Sequence, residues 1–210
     1  RKNIPIGAGL AGGSSNAAGT LIGLNKLWNL NLDQNTLVSL SSRLGSDVPF
    51  FINGGIQLCF GRGEILEKLN TNFRYGVLLL KNPSISISTA ETYKQYSDKF
   101  RDEYTSNKDI IEEIRNNLRE NGLNRLNISN KHFTIKNDLQ LVVENESVSV
   151  KQALYLLSNL KNCLTFAMSG SGPTCFALFK DVETANKELR ENYKLFKDKG
   201  YDSWVCNLLE

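Results

Sequence analysis

Gly7-Ala8-Gly9-Leu10-Ala11-Gly12-Gly13-Ser14-Ser15-Asn16-Ala17-Ala18 is the stretch on which the reading of this chain turns. Four glycines fall between positions 7 and 13, followed by two hydroxyls and an alanine pair. Glycine lets the backbone approach a ligand closely and take positive φ. A helix that starts behind such a loop presents N–H donors without intrahelical partners and the positive end of its dipole. Together these make an anion site, most often one for phosphate. The bland alternative is a glycine-rich helix start that only permits close packing; four glycines and paired serines weigh against it.

Three familiar templates nearly fit. Gly7-x-Gly9-x-x-Gly12 matches the dinucleotide fingerprint, with Asp33 at a tempting distance. That fold needs a strand ending at the acid, whereas Asp33 reads as the N-cap of a second helix. The same glycines match a protein-kinase loop, but that loop continues into a strand and this one enters a helix. Gly7-x-x-x-x-Gly12-Gly13-Ser14 has the Walker spacing with glycine in place of lysine. Without that cation, phosphate charge must be met by helix N–H groups, magnesium or a base from elsewhere.

Outward from the loop, the remaining sequence bounds the class of protein. The 210 residues suffice for one large domain or two small ones, and 40% hydrophobic with 22% charged residues is ordinary for a globular chain. A net charge of +3 gives no nucleic-acid footprint, and no apolar run is long enough to span a bilayer. Cys59, Cys163, Cys175 and Cys206 form no CxxC pair. Cys59, Cys175 and Cys206 lie in strand-like apolar runs and read as reduced core residues of an intracellular protein. The lone His132 reads as a surface residue. The chain begins at Arg1 with no methionine, and the loop follows at once, so the expectation is the C-terminal part of a longer protein.

Periodicity predicts a helix from Gly12 to Trp28, with Ala17, Ala18, Leu21, Leu24 and Trp28 on the apolar side. A second, capped by Asp33 and ended by Gly45, would place Leu37, Leu40, Ser41 and Leu44 on one face. Ser46-Asp47-Val48-Pro49-Phe50-Phe51 reads as a polar turn entering aromatics, Gly54 to Phe60 as a strand, and Gly61-Arg62-Gly63-Glu64 as a turn. A second unit starts near Tyr75, with a buried strand from Tyr75 to Leu80. Thr89 to Phe100, Lys108 to Glu120 (striped by Ile110, Ile111, Ile114 and Leu118) and Val148 to Leu160 are expected helices. Thr165 to Ser169 and Thr174 to Phe179 are strands around a Gly-Ser-Gly-Pro turn. A helix marked by Val182, Ala185, Leu189, Tyr193 and Phe196 and a last strand from Ser203 to Leu209 follow. This is an α+β order of ferredoxin-like type. The polar stretch 101–147 is the least readable.

Pro5-Ile6 and the opening stretch together resemble the ATP-binding motif of the GHMP kinases, the galactose, homoserine, mevalonate and phosphomevalonate kinase superfamily. Leu44-Gly45-Ser46-Asp47-Val48-Pro49-Phe50-Phe51 and the Gly61-Arg62-Gly63-Glu64 turn are similar to one branch of it. Ser169-Gly170-Ser171-Gly172-Pro173 resembles the superfamily's third motif, a glycine loop beside the nucleotide phosphates. The four motifs come in the family's order and span most of the chain. The resemblance implies a two-layer α/β sandwich over residues 1–74, the remainder of an N-terminal domain of ribosomal S5 domain 2-like type. Residues 75–210 would form a ferredoxin-like C-terminal domain.

The resemblance also implies chemistry. The branch moves the γ-phosphoryl of ATP to the 2-hydroxyl of a cytidine diphosphate-linked methylerythritol, in the non-mevalonate route to isoprenoid precursors. Pro5, Ile6, Gly7, Ala8, Gly9, Leu10, Ala11, Gly12, Gly13, Ser14 and Ser15 would wrap the phosphates, with Ser169, Gly170, Ser171 and Gly172 closing the other side. Ser15 would support Mg²⁺, and Asp47 would be the general base that an alcohol nucleophile needs. Tyr93 would stack on cytosine. On the residues alone, Asp47 reads as a turn or capping residue, and only the surrounding motif favours the base; Ser14 and Ser15 could also be helix caps, Tyr93 a core tyrosine, and the 169–173 loop a hairpin turn. The family's catalytic lysine with its asparagine neighbour, and a tyrosine–histidine pair for cytosine, would precede Arg1. The 210-residue piece alone is therefore expected to have little activity, and to expose apolar surface. The setting implied is a bacterial cytoplasm or a plastid stroma. A homoserine- or mevalonate-type kinase and a non-catalytic nucleotide-binding fragment are the competing readings.

Overall fold

The computed structural model describes residues 4–69, 74–101, 112, 115–116 and 135–208. These fall into two units. One comprises 4–10, 74–101, 112 and 135–208; the other comprises 11–69 and 115–116.

The first unit is built on a four-stranded sheet. β3 (Gly76–Lys81), β4 (Thr165–Met168), β5 (Cys175–Phe179) and β6 (Asp202–Asn207) run in the order β4-β5-β3-β6. Every neighbouring pair is antiparallel, with Leu78 opposite both Ala177 and Val205. The first strand thus lies between the third and the last, the split βαβ arrangement of ferredoxin-like domains. Its helices are α4 (Thr89–Phe100), α5 (Gln140–Glu146), α6 (Val148–Ser158) and α7 (Val182–Asp198). Leu78, Leu80, Ala177 and Phe179 pack with Val150, Leu157, Ala185 and Phe196 in one buried cluster. Burying each large apolar side chain contributes about 1.5–3 kcal/mol. Side chains cap three of these helices: Ser88 accepts from Glu91 N, Ser147 from Val150 N and Asp181 from Thr184 N. The Thr184 hydrogen bonds hold the Asp181 carboxyl below its usual range.

The second unit holds α1 (Gly12–Leu27), α2 (Gln34–Ser42), α3 (Val48–Asn53) and a hairpin of β1 (Gln57–Phe60) with β2 (Ile65–Lys68). Ala18, Leu37, Ser41, Val48 and Pro49 are its buried residues around the helices. Asp33 caps α2 through Thr36 N at 2.8 Å, as expected.

Several expectations need correction. Trp28 is 62% exposed because α1 stops at Leu27 and the chain turns at left-handed Asn29 and Asn31. Leu44 is 61% exposed: α2 ends at Ser42, so the helical spacing from Leu37 does not reach it. Tyr193 faces outward on α7. Cys59 and Cys206 are exposed, since strand alternation and the sheet edge turn them out of the core. Cys175 does lie in the core, where burial first and the charge of Glu144 second push its thiol up to about 12. The Ser46–Phe51 stretch enters a short helix, and α5 lies in the stretch that sequence patterning left unread. The expected Lys108–Glu120 helix lies outside the described residues except for Glu112, Arg115 and Asn116, which are helical; His132 also lies outside them.

Gly76 opens β3 against the start of α7. A Cβ there would sit 2.3 Å from the Asp181 carbonyl oxygen and 2.8 Å from Val182 Cα. Backbone must move to admit it. Gly76→Ala should therefore destabilise the protein by about 1–3 kcal/mol, read as a lower urea midpoint at unchanged slope.

Candidate functional site

In the first unit, the segment from Gly7 to Leu10 lies on the Ser169–Gly172 turn. Ser169 Oγ donates to the Gly9 carbonyl at 2.9 Å, and Thr174 N donates to the Ala8 carbonyl at 3.3 Å. Gly9 has φ +69, and a Cβ there would stand 2.3 Å from the Ser169 carbonyl oxygen and 2.8 Å from Gly172 N. On its other side, Gly7 crosses so close to Ser86 that an added Cβ would meet Ser86 Oγ at 2.3 Å. The first and third motifs, distant in sequence, are thus one piece of structure.

The turn is held from two further directions. Thr89, at the start of α4, shares a 2.8 Å hydrogen bond with the Ser171 hydroxyl. Asn137 Nδ2 donates to the carbonyls of Met168 and Gly170, each at 2.8 Å. Gln140 Oε1 accepts from Met168 N at 2.8 Å. Sequence reading missed Asn137 and Gln140: they sit in a polar stretch without apolar period or glycine, so no local pattern marks them.

Tyr93 lies on α4 and is 59% exposed, so it is not a core tyrosine. It lines an open cleft of about 950 Å³ within this unit, together with Ser97, Arg101, Asn137, Leu139 and Gly170. The rings of Tyr93 and Tyr96 and one glycine of the phosphate-type turn therefore border the same space.

The second unit carries Ser14, Ser15 and Asp47. Ala11 occupies the N-cap position of α1 with φ 46 and offers no side-chain cap. Ser15 N makes the first return bond, to the Ala11 carbonyl at 3.0 Å. The N–H groups of Gly12, Gly13 and Ser14 therefore have no intrahelical acceptor. Neither serine caps the helix; Ser15 Oγ donates to the Gly12 carbonyl at 3.2 Å and keeps its lone pairs. Asp47 stands at the N-cap position of α3 but makes no capping bond. Its carboxylate is exposed and has no hydrogen-bond partner among the described residues. Partial desolvation first, and the nearby Asp47 charge second, raise the thiol of Cys59, a residue that is exposed as a whole. The Gly61–Glu64 turn belongs to the same neighbourhood: a Cβ on Gly63 would stand 3.4 Å from the Ser46 carbonyl oxygen. The turn is closed by Arg62 N donating to Glu64 Oε2 at 2.7 Å.

A glycine loop seated on a second glycine turn, beside a ferredoxin-like sheet, defines a class. Residues 1–55 match the GHMP kinases N terminal domain and residues 106–198 the GHMP kinases C terminal domain. The chain belongs to the GHMP kinase family. It is 76% identical over 210 residues to a 4-diphosphocytidyl-2-C-methyl-D-erythritol kinase of Prochlorococcus marinus strain MIT 9312, covering all of this chain and 68% of that protein. The corresponding protein of strain MIT 9301 is 77% identical with the same coverage. Among solved structures, a 4-(cytidine 5'-diphospho)-2C-methyl-D-erythritol kinase superposes with a TM-score of 0.65 at 24% identity, covering 100% of this chain and 69% of that one. A homoserine kinase from Cytophaga hutchinsonii gives 0.69 at 19%, covering 99% and 68%. At those identities the superpositions establish the fold.

Gly9 cannot gain a side chain without breaking the seat on the turn. In the full-length gene product, Gly9→Ala should raise the KM for ATP about 5- to 30-fold, since left-handed strain alone costs about 1–2 kcal/mol. Initial-rate measurements at saturating second substrate check this.

Proposed function

We propose that this chain is part of an ATP-dependent kinase. It phosphorylates the 2-hydroxyl of 4-diphosphocytidyl-2-C-methyl-D-erythritol, for isoprenoid precursors in a bacterial cytoplasm. The observation that carries the reading is the hydrogen-bonded seating of Gly9 on Ser169, which joins two glycine motifs within one unit. It is supported by relatives of 76% and 77% identity that bear that enzyme name.

In this reading, the Pro5–Ser15 stretch and the Ser169–Gly172 turn receive the phosphates, the donors being those backbone N–H groups, such as that of Ser171, that have no protein acceptor among the described residues. The first turn of α1 adds its uncapped donors and its dipole. Mg²⁺ fits as an ion brought with the nucleotide. It takes oxygen ligands and keeps several waters, and Ser15 has hydroxyl lone pairs to offer. Among the described residues no cluster of three His, Cys, Asp or Glu side chains would hold it alone. Bound, the ion would offset charge on the transferring group.

Asp47 is the base. An alcohol needs its proton taken as the bond to phosphorus forms, and Asp47 is a carboxylate not used by any cap or ion pair among the described residues. Tyr93 is the platform for the pyrimidine ring; a flat base stacks on an exposed aromatic face.

The acceptor test compares 4-diphosphocytidyl-2-C-methyl-D-erythritol, homoserine and mevalonate in an ADP-release assay of the full-length gene product. Turnover with the first alone, with phosphate found at the 2-hydroxyl by NMR, is the expected result; turnover with homoserine or mevalonate in its place would reject the reading. Asp47→Asn should lower kcat at least about 10²-fold with little change in KM. Tyr93→Ala should raise the KM for the cytidylyl substrate on the order of 5- to 100-fold, the usual range for loss of a base stack, leaving the KM for ATP in place.

A further inference from the structure

Asn137 spends its whole side-chain amide on one turn and its own backbone. Nδ2 donates to the Met168 and Gly170 carbonyls at 2.8 Å each, while Oδ1 accepts from Leu139 N at 3.0 Å. The third bond sets the amide's orientation, so the NH₂ group can face only the two carbonyls.

Pinning a carbonyl also aims the following N–H. The peptide unit is planar and trans, so its C=O and N–H point in opposite directions. Through the Met168 carbonyl, Asn137 sets the Ser169 N–H, which donates to the Thr174 carbonyl at 2.8 Å and closes the turn. Through the Gly170 carbonyl it sets the Ser171 N–H. That N–H has no protein acceptor among the described residues. Gly170 is left-handed, with φ 53, and has no side chain to hold the peptide by packing. Its Cβ position lies 3.1 Å from the Gly9 carbonyl oxygen, so the peptide aimed by Asn137 is the one against the glycine loop. Gln140 does something different. It accepts from Met168 N at the end of β4 and leaves the Gly170–Ser171 peptide alone.

We propose that Asn137 is a positioning residue for phosphate binding: by clamping the Gly170 carbonyl it aims the Ser171 N–H as a donor to a nucleotide phosphate. This rests on the functional reading above, in which the 169–172 turn faces ATP. A carboxylate in place of the amide would set negative oxygens against two carbonyls, and an alanine would free the peptide to turn.

The test uses the full-length gene product with ATP and 4-diphosphocytidyl-2-C-methyl-D-erythritol. Asn137→Ala and Asn137→Asp should raise the KM for ATP, about tenfold or more for Asp and less for Ala. The KM for the cytidylyl substrate should stay within about twofold. Gln140→Ala is the comparator: it should lower the melting temperature and leave the KM for ATP within about twofold. If Asn137→Asp does not fold, Asn137→Ala against Gln140→Ala decides. An unchanged KM for ATP in Asn137→Ala, an equal rise for both substrates, or an equal rise in Gln140→Ala overturns the proposal. Absence of any phosphoryl transfer by the wild-type protein would instead reject the functional reading.

Discussion

The Ser169 hydroxyl bonded to the Gly9 carbonyl is the contact on which the candidate nucleotide site depends. Alone it is worth about 0.5–1.5 kcal/mol, too little to hold a loop. Its force comes from what surrounds it. Gly7, Gly9 and Gly172 each leave out a Cβ that would collide with facing backbone or with Ser86 or Met168, and Gly170 leaves out one that would crowd the Gly9 carbonyl. Two backbone segments can therefore approach until their carbonyls and N–H groups meet directly. The second bond, Thr174 N to the Ala8 carbonyl, then fixes register. Backbone polar groups in the contact are satisfied by each other and by the Ser169 hydroxyl, and the Ser171 N–H is left without a protein acceptor among the described residues.

This seat is in turn anchored to the sheet. The turn joins β4 to β5, and β5 pairs with the central strand β3. Cys175 and Met168, which flank it, are fully buried. Thr89 ties it to the helix that carries Tyr93. A displacement of the turn would thus have to disturb either core packing or α4, and the hydrogen bonds from Asn137 restrict it further. Stiffness matters in phosphoryl transfer, where there is little covalent work for the protein and placement supplies most of the effect.

Much of this was legible in the sequence, for a physical reason. Glycine spacing, helix caps and alternating strands are local, and local rules place α4, β3, β5 and the cap at Asp33 within a residue or two. What failed was the step from spacing to burial. Trp28, Leu44 and Tyr193 keep helical or near-helical spacing, yet a chain turn, an early helix end and an outward register expose them. Cys206 sits in a strand whose position at the sheet edge no local pattern reveals. Asn137 and Gln140 were invisible for the opposite reason. Their partners are the backbone carbonyls and N–H groups of residues about thirty positions away, and backbone groups carry no sequence identity.

The start of α1 shows how a local rule can be broken to a purpose. The other helices of nine residues or more among those described, α2, α4, α6 and α7, each have a side chain that caps them. α1 has alanine there, in a left-handed conformation. The missing cap costs about 1 kcal/mol, and the alanine conformation about 1–2 kcal/mol more. A serine or aspartate at that position would satisfy a first-turn N–H and place an oxygen, or a negative charge, where an anion would bind. Alanine leaves those donors unspent, and the paired hydroxyls of Ser14 and Ser15 follow within the first turn. Strained residues concentrate at ligand clamps because the surrounding structure can hold them. The same economy recurs at Asp47, the N-cap residue of α3 whose carboxylate makes no cap. In both places a group that could stabilise a helix is absent or unused, which agrees with the proposed roles of the α1 start in phosphate binding and of Asp47 in accepting a proton.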